Sequence, residues 1–189
     1  FPAFDDRAAN IYNALFYSKN PGRLHQEFID AVFRTEPPMS ADEQKETFES
    51  ALTDALEDGC SYHVMQSVHE QLRERIQEHA ESKDPEPLDL SPREVGQILQ
   101  SCDVPEEQVR QFQHNCAERF GEGAALNPGN IIDSKRFEIR TPQVKIAVDP
   151  AYSYLVETRI IDGRKCLVIP ADEGVEVNGV RVRIDDEEE

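Results

Sequence analysis

Apolar positions along this chain recur with a period near 3.6 up to about residue 126 and with a period of 2 beyond it. The first pattern predicts helices. Asp5 or Asp6 can cap a helix carrying Ile11, Leu15 and Phe16, broken by KNPG at Lys19–Gly22. A second helix carries Leu24, Phe28, Val32 and Phe33 and ends in the loop TEPPMS. Ser40 and Glu43 then form an S-x-x-E capping box, in which each side chain satisfies a free backbone N–H. That helix carries Phe48, Leu52, Ala55 and Leu56 and stops near Gly59. The next has Met65, Val68, Leu72 and Ile76 on one stripe, before the polar linker ESKDPEP. Ser91 and Glu94 repeat the capping box, with Pro92 at the first helical position. Val95, Ile98 and Leu99 form its stripe. After CDVP, Val109, Phe112, Cys116 and Phe120 mark the return arm of a helical hairpin closed by Gly121.

Past the turn LNPGN, Phe137 and Ile139, then Val144, Ile146 and Val148, alternate with polar residues. Asp162-Gly163 suits a two-residue type I′ turn, which needs positive φ at both positions. That register pairs Ile161 with Arg164, Ile160 with Lys165 and Thr158 with Leu167. It places Val156, Ile160, Leu167 and Ile169 on an expected core face, and Glu157, Arg159, Arg164 and Cys166 on the other. Asn178-Gly179 repeats the device, with Val175, Val177, Val180 and Val182 on one face and Glu176 facing Arg181. The predicted fold is α+β: an N-terminal helical region followed by an antiparallel, hairpin-built β-sheet. The expected divisions are an acidic helical region over 1–87, the helical hairpin over 88–126, an antiparallel β unit over 127–184 and a disordered acidic tail over 185–189.

Charge sharpens this picture. The 189 residues carry 20 basic and 38 acidic side chains, a net charge of −18. Residues 1–136 are net −13 and residues 137–183 are neutral. The field repels nucleic acid and anionic membrane. No apolar run approaches the roughly 18 residues a bilayer span needs. Cys60, Cys102, Cys116 and Cys166 stand singly, without CxxC, which points to reduced, cytoplasmic cysteine usage rather than a disulfide framework. The chain opens at Phe1 rather than Met, and FPAFDDR reads as mid-protein, so a fragment or processed chain is expected.

Candidate chemistry is sparse. HEQLR, from His69 to Arg73, stands one residue short of the HExxH zinc signature. A guanidinium stays protonated and does not ligate zinc at neutral pH. On the helix wheel His69 and His79 flank the apolar stripe from opposite edges and His63 points away, so the three do not converge. Cys60 and His63 have C-x-x-H spacing, with Asp54, Glu57 and Asp58 close in sequence, yet no second pair completes four ligands. Cys60, His63 and His69 are therefore the metal candidates, against a packing-helix explanation that needs no metal. Cys60/His63 and Cys116/His114 are thiolate pairs on paper only. The hairpin Ser91–Gly121 would make a poor DNA-reading motif, since Glu106 and Glu107 open its second helix. The one locally basic region runs from Arg140 to Lys165, where Arg159 and Arg164 share a face and are the binding candidates. The competing explanation is a solvated face beside Glu157. No GxSxG, phosphate-binding glycine loop or calcium loop is present. No catalytic residue and no cofactor is expected.

The strings FPAFDDRAANIYNALFYSKN, LHQEFID, SADEQKETF, FEIRTPQVKIAVDP and LVETRIIDGRKCLVIPADEGVEVNGV resemble the C-terminal half of a bacterial family labelled only as a domain of unknown function. The likeness covers about Phe1 to Val182. It implies a bacterial cytoplasmic protein and a full chain about twice this length, and it transfers no activity, cofactor or catalytic residue. The expected function is a non-enzymatic protein-interaction or scaffolding module, one partner being the N-terminal half of the same protein. One alternative is an enzyme or metal-dependent domain completed by that half. The other is a nucleic-acid-associated module acting through the sheet. Oligomeric state is left open.

Overall fold

The computed structural model describes residues 17–35, 37–172 and 174–184. The expected first helix, with Ile11, Leu15 and Phe16, and the tail over 185–189 lie outside the described residues. The chain forms two compact units, Phe1–Ser134 and Lys135–Glu189.

The first unit holds helices α1 (Gln26–Phe33), α2 (Ala41–Leu56), α3 (Tyr62–Ser82), α4 (Pro92–Ser101), α5 (Glu106–Phe120) and the single turn α6 (Pro128–Ile131). Both capping boxes form. Ser40 Oγ accepts from the Glu43 N–H at 3.2 Å, and the Glu43 carboxylate accepts from the Ser40 N–H at 2.7 Å. Ser91 and Glu94 repeat these distances, with Pro92 opening α4. The bonds from the serines hold both carboxyls below the usual carboxylate range.

Phe48, Leu52, Ala55 and Leu56 of α2 are buried as their spacing predicts. So are Val95, Ile98 and Leu99 of α4 and Val109, Phe112 and Cys116 of α5. Phe48 and Phe112 meet edge to face, with ring centroids 5.9 Å apart. Helix α3 buries Val64, Val68 and Leu72, with Met65 and Ile76 half-buried. Its stripe is thus rotated slightly from the expected one. Helix α1 departs further: it buries Ile29 and leaves Phe28 46% and Val32 54% exposed. The turn Asn127–Asn130 continues into α6, with Asn127 Oδ1 accepting from the Gly129 N–H at 2.9 Å.

Polar side chains also tie α5 to α2. Buried Asn115 donates to the Ala51 carbonyl at 3.1 Å and Gln108 to the Leu56 carbonyl at 3.0 Å. Arg119 reaches Ser50 Oγ at 2.8 Å and Asp54 Oδ2 at 2.6 Å. Residues 108, 115 and 119 stand at helical spacing, so one edge of α5 carries a polar seam beside its apolar stripe. Leu90 and Leu126 exchange two backbone hydrogen bonds, each 2.8 Å, across the base of the α4–α5 hairpin.

The second unit is built of hairpins. β1 (Phe137–Arg140) pairs with β2 (Lys145–Val148), β3 (Glu157–Ile161) with β4 (Arg164–Val168), and β5 (Val175–Val177) with β6 (Val180–Val182). All three are antiparallel, as the α+β prediction requires. Asp162 and Gly163 have φ of 50° and 76°, and Asn178 and Gly179 have 52° and 79°, the geometry of the expected turns. The predicted registers hold, including Thr158 opposite Leu167 and Glu176 opposite Arg181. Among the described residues the three ladders do not join into one sheet. A 3₁₀ segment, Pro150–Leu155, separates β2 from β3, capped by Asp149 accepting from the Ala151 N–H at 2.9 Å.

One expectation fails here. Of the proposed core face, Val156 is buried and Leu167 half-buried, but Ile160 is 77% and Ile169 49% exposed. Alternation sets which side chains share a face. It does not supply a layer to cover that face, and a two-stranded ladder has little surface to bury against itself.

Candidate functional site

Every residue of β3 is exposed, on both faces of the ladder. Thr158 and Ile160 lie on one face, and Glu157, Arg159 and Ile161 on the other. Ile161 is 47% exposed. The second turn-built hairpin repeats this, with Val177, Val180 and Val182 all exposed. Ile160 and Ile161 thus stand exposed at successive strand positions, one on each face of the ladder.

The two candidate binding arginines sit on this hairpin. Arg159 donates from Nε and Nη2 to Glu157 Oε2, at 2.9 and 2.6 Å. Arg164 is exposed beside the turn, and its carbonyl accepts from Cys166 Sγ at 3.5 Å. Arg159 and Arg164 therefore share a face, and Glu157 offsets one of their charges. On β1–β2, Glu138 lies within 2.5 Å of both Arg140 Nε and Lys145 Nζ. The bond from Lys145, with the neighbouring charges, holds the Glu138 carboxyl below its ordinary range. The basic region from Arg140 to Lys165 is thus partly compensated from within.

The metal candidates sit in different local environments. Cys60 caps the 3₁₀ turn after α2, and burial pushes its thiol up. His63 is exposed on the first turn of α3. His69 is half-buried, and its Nε2 donates to the Asp133 carbonyl at 2.9 Å. A carbonyl only accepts, so the ring carries its proton on Nε2 when neutral. Burial is the main cause that lowers its pKa, with Arg73 and Lys45 adding to the effect. Arg73, where a second zinc ligand would stand, buries its Nε without a hydrogen-bond partner among the described residues. Among those residues, no three His, Cys, Asp or Glu side chains form a group suited to a metal ion. The second thiolate pair fares no better: Cys116 is fully buried and its thiol is pushed up to about 12 by that burial. His114 instead lies 3.8 Å from Glu118 on the exposed side of α5.

The sequence placed Ile160 in a core and gave no role to Thr158. A signal was present: Ile160 and Ile161 are adjacent, so both faces of β3 carry an isoleucine. A strand that is apolar on both faces asks for cover on both.

The chain belongs to the family described as Domain of unknown function (DUF4317), whose model matches residues 1–180. No curated protein and no solved structure matches it. No helix among the described residues is long and apolar enough to cross a membrane.

Proposed function

We propose that this chain is a non-enzymatic protein-interaction module of the bacterial cytoplasm, and that its β3–β4 and β5–β6 hairpins supply the contact surface. The observation that carries this is the exposure of Ile160, Ile161, Val177, Val180 and Val182 on regular, well-registered strands. An isolated two-stranded hairpin is marginal in water, so a partner that covers these side chains stabilises the hairpin as it binds. The raised thiols of Cys60 and Cys116 fit a role without a cysteine nucleophile, and four free cysteines fit a reducing compartment.

The test is native recovery of the tagged chain from its own cells, side by side with Ile160→Ser and Val180→Ser. A protein recovered in stoichiometric amount with the wild type and lost with the variants is the expected result. Equal recovery by all three, or nothing retained by any, sinks the proposal.

A further inference from the structure

We infer that a second copy of this chain pairs with β3 along its free edge, in an antiparallel register centred on Thr158. The inference rests on the reading of the hairpins as a contact surface and assigns that surface an occupant.

The two-residue turn makes Ile161 and Arg164 the closing hydrogen-bonded pair of the hairpin. Bonding then alternates along β3. The main-chain groups of Ile161, Arg159 and Glu157 face β4, and those of Ile160 and Thr158 face the other way. Among the described residues no strand lies on that side. A free edge of this kind is a template for another strand, and a two-fold axis is the commonest way for identical chains to use one.

Charge selects both edge and register. The strand β4 carries Arg164 and Lys165 with no acid, so no register of β4 on its own copy makes an ion pair. The strand β3 carries one acid and one base, two positions apart. With Arg159 on the axis, arginine would oppose arginine. With Ile160 on the axis, Arg159 would oppose Ile161 and make no ion pair. With Thr158 on the axis, Glu157 faces Arg159 of the second copy, and the same pair repeats across the dyad. These are non-hydrogen-bonded positions, where opposed side chains approach most closely. Thr158 exchanges its N–H and carbonyl with Thr158 of the second copy. On the other face Ile160 comes to stand opposite Val156 of the second copy, whose own side chain is already buried. The product is a four-stranded sheet in the order β4, β3, β3, β4.

Sedimentation equilibrium on the full chain tests this. Wild type is expected to show a monomer–dimer equilibrium. Arg159→Glu or Glu157→Arg sets like charges opposite each other twice per dimer, and each is expected to raise the dissociation constant roughly 10- to 100-fold. The double variant Glu157→Arg/Arg159→Glu restores both pairs and is expected to restore dimerisation. Thr158→Pro removes an edge N–H that β4 does not use, so it is expected to abolish the dimer while the circular dichroism spectrum is unchanged. Three results overturn the inference: wild type monomeric at its solubility limit, a dimer indifferent to the single swaps, or no rescue by the double swap. A monomer that still retains a different protein through Ile160 removes self-pairing and leaves the contact-surface reading standing; a monomer that retains nothing removes both.

Discussion

At the scale of single residues, two side-chain environments make measurable demands. His69 is held as the neutral Nε2–H tautomer against the Asp133 carbonyl, with its folded pKa below the ordinary 6.5. The unfolded chain keeps the ordinary value. Between the two values the unfolded state binds the extra proton, so stability falls as pH drops through 6.5 towards the folded value. Above 6.5 both states are neutral and this contribution is constant. Urea midpoints at about pH 8 and about pH 5.5 should differ more for wild type than for His69→Gln. The acid-side lowering of the Glu94 and Glu43 carboxyls lies at lower pH and is read separately. Gly96 is the second case. A Cβ there would stand 2.5 Å from Gln113 Nε2 and 3.0 Å from Val109 Cγ1. Glutamine's end can swing away, but Val109 is buried. Gly96→Ala should be near neutral, since helix propensity gains about 1 kcal/mol. Gly96→Val should cost about 1–3 kcal/mol in urea unfolding through overpacking of α4 on α5.

At the scale of elements, the caps are the sharpest prediction. Ser91→Ala removes the acceptor for the Glu94 N–H and should cost about 1 kcal/mol, read as a lowered urea midpoint with unchanged slope. The same features explain what the sequence made legible. Capping boxes and D-G or N-G turns are local chemistry, fixed by residues within four positions of each other. Ser40, Ser91, Gly163 and Gly179 therefore do in the fold what they announce in the chain. Strand register followed from the turns. Burial did not follow, because it depends on what lies across from a face. Ile160 and Val32 have the right spacing and no cover, whereas Asn115, an unpromising core residue, is buried with its side-chain N–H donated to the Ala51 carbonyl. The candidate site was legible only in fragments. Arg159 and Arg164 share the predicted face, but the edge main chain of Thr158 has no side-chain signature at all.

At the scale of the whole molecule, charge sets the terms of association. A net −18 disfavours any polyanion, and the one basic region is offset by Glu138 and Glu157. A labelled DNA duplex should show no binding even at about 20 mM salt; binding there that falls steeply with added salt would favour a nucleic-acid role through the sheet. Self-repulsion among the acids of residues 1–136 should also make the melting temperature rise as salt is added at neutral pH, until screening is complete.

The paired backbone bonds between Leu90 and Leu126 reach beyond stability. They join the two ends of a single helical hairpin, so most contacts inside it link positions close in sequence. The α2–α5 packing instead joins residues separated by more than fifty positions, as in Gln108 to Leu56 and Asn115 to Ala51. Closing a short loop costs less entropy than closing a long one, and local contacts form earlier. The hairpin is therefore expected to form first, with α2 docking onto it afterwards. Substitutions at Val95 or Leu99 should slow refolding, while substitutions at Ala51 or Leu52 should chiefly speed unfolding.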